Sequence, residues 1–439
     1  MDLAFVFSLR GMFAFFVAII IIILTLRRPF YGLLFFLFLL IVQPQELEMF
    51  PGLETFPLAK FFAFFLILSS VLHPDLRQKI KAPREGQNLL FILFAIALVF
   101  SGAVFIESYR NFSVFFLPVV IMYFLVISLI KTEKQFTGYI LMLVTLTTYL
   151  AIYGIFQYHI SGGNVEYEDG LDRILYYGSL SDPNNLAMVF VLSLPFILNF
   201  AASTQKIVYK LIFISAFLLH IWAVYLTYSR SGFLGLGAVL MMLVIKSRKK
   251  IITGPIVLLL LFGLLFCSSE FRERMMTMRA TDTSQLDRSA QLRIELWKAG
   301  IAMAKEHPYR GVGIAQFEDN VLEYISPEAN LTRKLTAHNS FILIIAETGV
   351  VGFILYVLIF LKTFSDLLFI EGLQKKNEAL KNLSPWAASL FASLVGVMII
   401  ALFLTRSYQF LPFILVALTV SLKRLCFFKL DYSRQQDRG

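Results

Sequence analysis

The chain has 439 residues, of which 58% are hydrophobic, only 15% are charged and 46 are phenylalanine, and its formal net charge is +10. This composition excludes an ordinary soluble domain, which carries fewer apolar and more charged residues. The long apolar runs match the length of a membrane-crossing helix and lack the alternation of β-barrel strands. We predict an all-α polytopic membrane protein with about 12–13 transmembrane helices and one large, partly helical periplasmic loop.

Thirteen apolar spans are predicted along the chain. The second span is short, so the first two are compatible with a tight hairpin. A retained first span is favoured over a signal peptide because the first 28 residues lack a basic start and a small-residue cleavage site. The spans fall at 5–26, 29–43, 56–72, 88–106, 112–130, 136–158, 183–202, 208–227, 231–246, 251–268, 339–361, 384–404 and 408–422.

Basic residues in the connections set the orientation. They cluster in every second short connection, which the positive-inside rule assigns to the cytoplasm. This clustering explains the net charge, so nucleic-acid binding is not expected. The basic clusters are Arg27-Arg28, Arg77 to Arg84, Lys131 and Lys134, Lys206 and Lys210, Lys246 to Lys250, Lys375 to Lys381, and Lys423 to Lys429. The connections that then face the periplasm are 44–55, 107–111, 159–182, 228–230, 269–338 and 405–407.

Five regions follow from this topology. Cys267 and Cys426 lie near opposite faces of the membrane, so they should not pair, and they carry no metal signature. The polar residues from Asp431 onward are expected to be disordered. The regions are N-terminal transmembrane helices (1–130), central transmembrane helices with outward-facing motifs (131–268), the large periplasmic loop (269–338), C-terminal transmembrane helices (339–425) and a cytoplasmic tail (426–439).

The first outward-facing motif runs from Gly178 to Ala187. Asp182 is a favourable N-cap, Pro183 suits the first helical position, and a long apolar helix follows. A capped transmembrane helix explains these residues by itself. The functional alternative is that Asp182 and Asn184 line an outward cavity.

The second motif, Tyr228-Ser229-Arg230-Ser231-Gly232, joins two spans with almost no loop. A charge at this depth is expensive unless it is paired or hydrated. Arg230 either extends its head group to the membrane surface, as boundary arginines do, or it holds a phosphate through paired hydrogen bonds.

The third motif, residues 289–306, has the spacing of an amphipathic helix. One face is apolar, and Arg293, Trp297 and Gly300 share another. The helix either lies on the bilayer surface or turns Arg293 into a cavity over an aromatic floor. Periodicity alone leaves both interpretations open.

His338 and Asn339 open an apolar helix that re-enters the membrane. The positive end of the helix dipole lowers the pKa of a histidine there, which leaves it neutral near pH 7 and able to accept a proton. The alternative is an interfacial anchor or cap. Glu347 is half a turn away and about 13 Å further along a continuous helix, so a His–Glu dyad is disfavoured. A structural partner is expected for that carboxylate. The remaining histidines form no metal cluster, and Gly311-Val312-Gly313 reads as a turn, too short to indicate a nucleotide site.

Taken in order, these motifs resemble the O-antigen ligase / O-antigen polymerase superfamily over about residues 130–410. The opening, with Arg27-Arg28-Pro29-Phe30 and a Gln-Pro soon after the second span, is similar to the exosortase-associated branch of putative O-glycosylation ligases. The residues that carry the resemblance are Gly178…Asp182-Pro183-Asn184-x-x-Ala187, Tyr228 to Gly232, Arg293-x-x-x-Trp297 before His307-Pro308 and Gly311-Val312-Gly313, and His338-Asn339…Glu347-x-Gly349.

The resemblance implies an inverting glycosyltransferase that needs neither metal nor cofactor. It would take a glycan from a polyprenyl-diphosphate donor at the periplasmic face of the bacterial inner membrane, among membrane lipids. The acceptor would be lipid A core, another glycan or a protein, as in a ligase, a repeat-unit polymerase or a protein O-oligosaccharyltransferase. A transporter or flippase and a non-catalytic scaffold are the alternatives outside this class.

Carried over residue by residue, the resemblance makes His338 the base that deprotonates the acceptor hydroxyl. Arg230 and Arg293 would bind the donor diphosphate, where two fixed guanidiniums can replace a metal ion. Glu347 would be structural. The supporting residues would be Asp182, Asn184, Ser229, Trp297 and Asn339.

Overall fold

A computed structural model describes residues 9–46, 57–73, 85–160, 173–247, 250–266, 288–326 and 333–436. These ranges contain sixteen α-helices and no strand. The predicted basic connection at 77–84, Cys267 and residues 269–287 of the large loop lie outside them. The helices are α1 (Leu9–Arg27), α2 (Pro29–Val42), α3 (Leu58–Leu72), α4 (Gly86–Val99), α5 (Phe105–Phe115), α6 (Leu117–Leu129), α7 (Glu133–Ile160), α8 (Pro183–Ser203), α9 (Ile207–Leu226), α10 (Arg230–Lys246), α11 (Lys250–Phe266), α12 (Arg288–Glu306), α13 (Phe317–Tyr324), α14 (Ser340–Lys376), α15 (Ser384–Ala401) and α16 (Phe410–Gln436).

The apolar segments are helical because lipid offers the backbone no hydrogen-bond partner, so each segment must satisfy its own N–H and C=O groups. Within the described ranges, seven segments are long and apolar enough to cross a membrane. The pair α5 and α6, bent by 48°, makes an eighth if it is a single span. Each of the thirteen predicted spans overlaps a helix. The prediction of an all-α polytopic membrane fold is confirmed.

Two boundaries differ from the prediction. The outward connection predicted at 107–111 lies inside α5, where the Asn111 side chain donates to the carbonyl of Ile314 at 2.8 Å. The tail expected to be disordered is helical through Gln436, because α16 continues past the predicted span. An ion pair of 2.6 Å between Lys429 and Glu133 holds this extension to α7.

Ion pairs join helices at the end of the bundle that is predicted to be cytoplasmic. Arg424 donates to both carboxylate oxygens of Glu85, at 2.6 and 2.7 Å. Two lysines make similar contacts there, Lys246 with Glu371 at 2.6 Å and Lys423 with Asp366 at 2.8 Å. Partly buried charges need such partners, since an uncompensated charge at this depth is costly.

Helix α14 is broken at Gly349, whose backbone is left-handed with φ of 62° and ψ of −168°. The break exposes carbonyls that a continuous helix would use. The carbonyl of Ala346 accepts from the N–H of Val312 at 2.9 Å, and that of Glu347 accepts from the N–H of Gly313 at 2.9 Å. The polar loop is therefore fastened to a membrane helix by backbone hydrogen bonds.

Residues 307–313 form the turn that makes this contact, called here the docking turn. Gly311 has a φ of +65°, and a Cβ atom there would overlap the carbonyl carbon of Glu347. On its other side, the carbonyl of Arg310 accepts from the N–H of Gly102 at 2.9 Å. Only glycine fits such a close approach with this backbone conformation. The Gly-Val-Gly motif thus has a packing role.

The loop and the start of α14 share a second hydrophobic core. It is separate from the large core among the transmembrane helices. Burying these side chains together fixes α12 and α13 against α14. Its members are Leu296, Ala299, Met303, Phe317, Val321, Ala337, Leu343 and Ala346.

Glu347 is the buried acceptor at the centre of this junction. Its carboxylate accepts from the N–H groups of Ala315 at 2.9 Å and Phe317 at 3.0 Å. It also accepts from the hydroxyl of Tyr408 at 2.6 Å. The carboxylate therefore ties α14 to the loop and to the start of α16. These three donors are the structural partners that were expected for a carboxylate in the helix that re-enters the membrane.

Glu347→Gln is expected to lower the stability of the protein by about 1–3 kcal/mol. The amide NH₂ of glutamine is itself a donor, and it would face one of the three donors from which the carboxylate accepts. Thermal unfolding in detergent measures the effect. Glu378→Gln is the control, since the Glu378 side chain is exposed and pairs with Lys381, which is exposed too. Equal unfolding temperatures for the two variants would show that the contacts of Glu347 contribute nothing.

Candidate active site

The N-terminus of α8 has the predicted cap. Asp182 Oδ1 accepts from the backbone N–H of Asn184 at 2.6 Å and from its side-chain amide at 2.9 Å. Pro183 occupies the first turn. The capping prediction for Asp182 and Pro183 is confirmed, and it leaves the carboxylate at the end of the helix that is predicted to face outward.

The N-terminus of α10 is joined to that of α8 by hydrogen bonds. Ser229 caps α10 by accepting from the N–H of Gly232 at 3.0 Å. Its hydroxyl donates to Asn184 Oδ1 at 2.6 Å. A Cβ atom on Gly232 would lie 2.6 Å from that of Ala187, so the two helices approach closely here. The first two motifs therefore form one network, and half-buried Arg230 begins α10 directly beside it.

The N-terminus of α14 is the third part of the site. Asn339 caps it by accepting from the N–H groups of Phe341 at 2.9 Å and Ile342 at 3.1 Å. The Ser340 hydroxyl donates to the carbonyl of Leu404 at 2.6 Å. His338 immediately precedes the cap and has a φ of +47°. Its backbone is thus fixed on the C-terminal side by the contacts of Asn339 and Ser340.

His338 lies within electrostatic range of Arg293 and Asp182. Its pKa is lowered to about 4, first by burial and then by the charge of Arg293, while Asp182 opposes the shift. The direction agrees with the expectation of a neutral imidazole near pH 7. Burial and the charge of Arg293 act in the same direction as the helix dipole, which is also expected to lower this pKa. A neutral imidazole between opposite charges is suited to accept a proton.

Helix α12 places Arg293 beside His338 through tertiary packing. The Trp297 indole N–H donates to the carbonyl of Ala337 at 3.0 Å. A Cβ atom on Gly300 would lie 2.5 Å from Ile342 of α14. The helix is therefore packed against α14, which favours the interpretation that turns Arg293 toward the site. Trp297 also stands 6.5 Å, ring to ring, from Phe403.

Arg406 is a basic residue of this site that sequence reasoning missed. Its Nε–H donates to Asn185 Oδ1, and its Nη2 donates to the carbonyl of Ser179 at 2.7 Å. Burial lowers its pKa to about 10, and Asp182 partly opposes that shift. The signal was an arginine in the outward connection at 405–407, in a position like that of Arg230.

In the structure, His338 lies close enough to Arg293 and Asp182 to interact with their charges. Arg406 interacts in the same way with Asp182. Asn184 and Ser229 join them by hydrogen bonds, whereas Glu347 is committed to the loop junction. No group of three or more His, Cys, Asp or Glu side chains in the described ranges could hold a metal ion. The arrangement offers a neutral base among fixed cations, which suits an anionic substrate.

The fold and this cluster define a multi-pass membrane protein with a polar site built from helix N-termini and one docked loop. Residues 215–357 match the family model described as O-antigen ligase. A second model, described as a family of unknown function, matches residues 9–205. The first match supports a relationship to the O-antigen ligase superfamily, which implies a glycosyltransferase-type enzyme of glycan assembly. No curated protein matches it.

Proposed function

We propose that this protein transfers a glycan from a polyprenyl-diphosphate donor to an acceptor hydroxyl at the periplasmic face of the bacterial inner membrane. The transfer inverts the anomeric centre and uses no metal. The observation that carries the proposal is neutral His338 held near the charges of Arg293 and Asp182. His338 and Arg293 both lie within the O-antigen ligase match. The proposed product is that of a ligase.

In the proposed reaction, His338 takes the proton of the acceptor hydroxyl. The freed oxygen attacks the anomeric carbon, and the bond from that carbon to the diphosphate oxygen breaks. Arg230 and Arg293 neutralise the negative charge that develops on the leaving lipid diphosphate. Asp182 stabilises the imidazolium that results, because an opposite charge nearby favours the protonated form.

Binding of the donor also changes the proton affinity of His338. In the free protein, Arg293 helps to keep His338 neutral. The negative diphosphate offsets that positive charge when it binds, and it raises the proton affinity of the imidazole. His338 therefore becomes a stronger base only when the donor is in place.

The remaining predicted residues support this geometry. Asn184 and Ser229 fix the α8 and α10 termini relative to each other. Trp297 and Asn339 hold the backbone on either side of His338. Such support matters because catalytic groups must stay within a fraction of an ångström of their working positions.

Reconstituted protein tests the proposal. Proteoliposomes receive a polyprenyl-diphosphate-linked glycan and one of three acceptors, lipid A core, a free repeat unit or a protein, with and without EDTA. We expect glycan transfer to lipid A core, unchanged by EDTA, with inverted configuration by NMR. Extension of the repeat unit would indicate a polymerase, and glycosylated protein an O-oligosaccharyltransferase. Donor translocation without any transfer would indicate a flippase and overturn the proposal.

Arg293→Gln is expected to raise the donor KM by about 10- to 100-fold, because a charge-assisted hydrogen bond to phosphate contributes about 1.5–3 kcal/mol. It should also move the acid limb of the pH profile upward, since Arg293 helps to lower the pKa of His338. Lys298→Gln is the matched control on α12, where Lys298 is exposed and pairs with Glu295. Equal donor KM values for both variants would remove Arg293 from the donor site.

A further inference from the structure

Among the residues that the structure describes, only neutral groups hold the Arg406 guanidinium. Its acceptors are the side-chain carbonyl of Asn185 and the backbone carbonyl of Ser179. Across the described ranges it makes no ion pair with a carboxylate. Arg424, at the opposite end of the bundle, pairs with both oxygens of Glu85. The two arginines therefore differ in how their charge is compensated.

Carbonyl groups satisfy N–H donors but leave the positive charge in place. A charge withdrawn from water is costly unless an opposite charge or a ligand compensates it. Asp182 acts on Arg406 only from a distance. An arginine with a purely structural role would be better compensated by a carboxylate, as Arg424 is by Glu85. The arrangement at Arg406 fits a guanidinium that meets its counter-charge when substrate binds.

The position of Arg406 places this charge at the site. Its backbone N–H donates to the hydroxyl of Ser340, two residues after His338, at 3.0 Å. Asp182 acts on both His338 and Arg406. Arg293 approaches His338 from the polar loop, whereas Arg406 comes from the connection before α16. The O-antigen ligase match ends at residue 357, so Arg406 lies outside it.

We propose that Arg406 is a third anion-binding arginine of the site and takes a phosphate-type group of the substrate pair. That group belongs either to the donor diphosphate or to an acidic substituent of the acceptor. The inference rests on the proposed function. Asn185 and Ser179 hold the guanidinium in a fixed orientation, which favours paired hydrogen bonds to phosphate oxygens.

A purely structural role predicts something different. Arg406 also connects the start of α14 to the start of α8, so its loss could loosen the site without any anion being involved. Arg406→Lys and Arg406→Gln separate the two roles. Both remove the paired contacts to Asn185 and Ser179, but only Arg406→Lys keeps a positive charge.

Binding of a polyprenyl diphosphate without glycan is measured for the wild type, Arg406→Lys, Arg406→Gln and Arg293→Gln, with unfolding temperatures recorded for each. Acceptor KM is measured in parallel. We expect Arg406→Gln to weaken diphosphate binding or to raise acceptor KM by about 10- to 100-fold. Arg406→Lys should lose less than Arg406→Gln, because it keeps the positive charge although it cannot make the paired hydrogen bonds. The affected parameter identifies the source of the anion.

Equal losses in Arg406→Lys and Arg406→Gln, or no loss in either, would overturn the assignment of Arg406. If the wild type itself binds no polyprenyl diphosphate, the proposed function fails instead. Should Arg406→Gln not fold, arginine labelling of the wild type by phenylglyoxal replaces it. Protection of Arg406 by polyprenyl diphosphate or by the acceptor supports the proposal, and unprotected labelling with both contradicts it.

Discussion

His338→Gln is expected to lower the rate of glycan transfer by about 10²- to 10⁴-fold, the range that a positioned general base contributes. Donor binding should change by less than about threefold, because glutamine is neutral and His338 is also neutral near pH 7. The expected signature is thus a loss of kcat with donor affinity retained. Single-turnover transfer and equilibrium binding of the donor measure the two quantities separately.

The pH dependence gives a second test of the same residue. The pKa of His338 in the free protein is lowered to about 4, so the imidazole is neutral above that pH and protonated below it. The value of kcat/KM reports the free protein. As far as His338 determines it, kcat/KM should therefore be constant from about pH 5 to 7 and fall as the pH drops through about 4. An acid limb near pH 6.5 would contradict the lowered pKa of His338.

His307→Gln is the matched control, because His307 is exposed in the polar loop and its ring nitrogen lies 3.5 Å from the Tyr324 hydroxyl. We expect that variant to transfer glycan within about twofold of the wild-type rate, since surface substitutions rarely matter. Transfer by His338→Gln at the wild-type rate would exclude His338 as the base.

Gly349→Ala is expected to cost about 4 kcal/mol of stability, from a strained backbone and from overpacking. The residue has a φ of +62°, and a Cβ atom there would lie 2.5 Å from the carbonyl carbon of Tyr309. The added methyl group would push the docking turn away from α14. Transfer activity should fall with stability, because the same turn positions the loop that carries Arg293.

Gly372→Ala in the same helix is the control. No heavy atom lies within 4 Å of the Cβ position at Gly372. Alanine is the better helix former by about 1 kcal/mol, so that variant should be as stable as the wild type or more so. Unfolding temperature and monodispersity in detergent compare the two. If they behave alike, the break at Gly349 is not needed for the fold.

Local chemistry made part of the site predictable from sequence. Asp182 followed by Pro183 is a signal for the N-cap of a helix that needs only neighbouring residues, and both positions have the predicted roles. The apolar runs likewise predicted where helices lie. Each of these inferences uses residues that are neighbours in the chain, for which backbone geometry alone determines the outcome.

The proximity of Arg293 to His338 depends on tertiary packing, which periodicity cannot report. The helix that carries Arg293 was equally compatible with the bilayer surface. What places it is the contact from Trp297 to Ala337. For the same reason, Arg406 passed unnoticed, because its partners Ser179 and Asn185 are more than 200 positions away in the sequence.

The separation expected between His338 and Glu347 is unaffected by the break in α14, because Gly349 lies beyond both residues. The apolar pattern continues through Gly349 without interruption, so periodicity carries no sign of the break. Glycine permits a left-handed backbone but does not require it. The contacts of the docking turn select that conformation, and they lie about 40 residues earlier in the chain.

The hydrogen bonds at the broken helix also bear on how substrates reach the site. The loop that carries Arg293 is fastened to α14 through Val312, Gly313 and the N–H of Val350, which donates to Pro308 at 2.8 Å. Swinging this wall outward would break these hydrogen bonds and leave the backbone groups to find other partners. We therefore expect this part of the loop to stay docked on α14 through the catalytic cycle. Turnover should then be paced by the lateral arrival and departure of the lipid substrates.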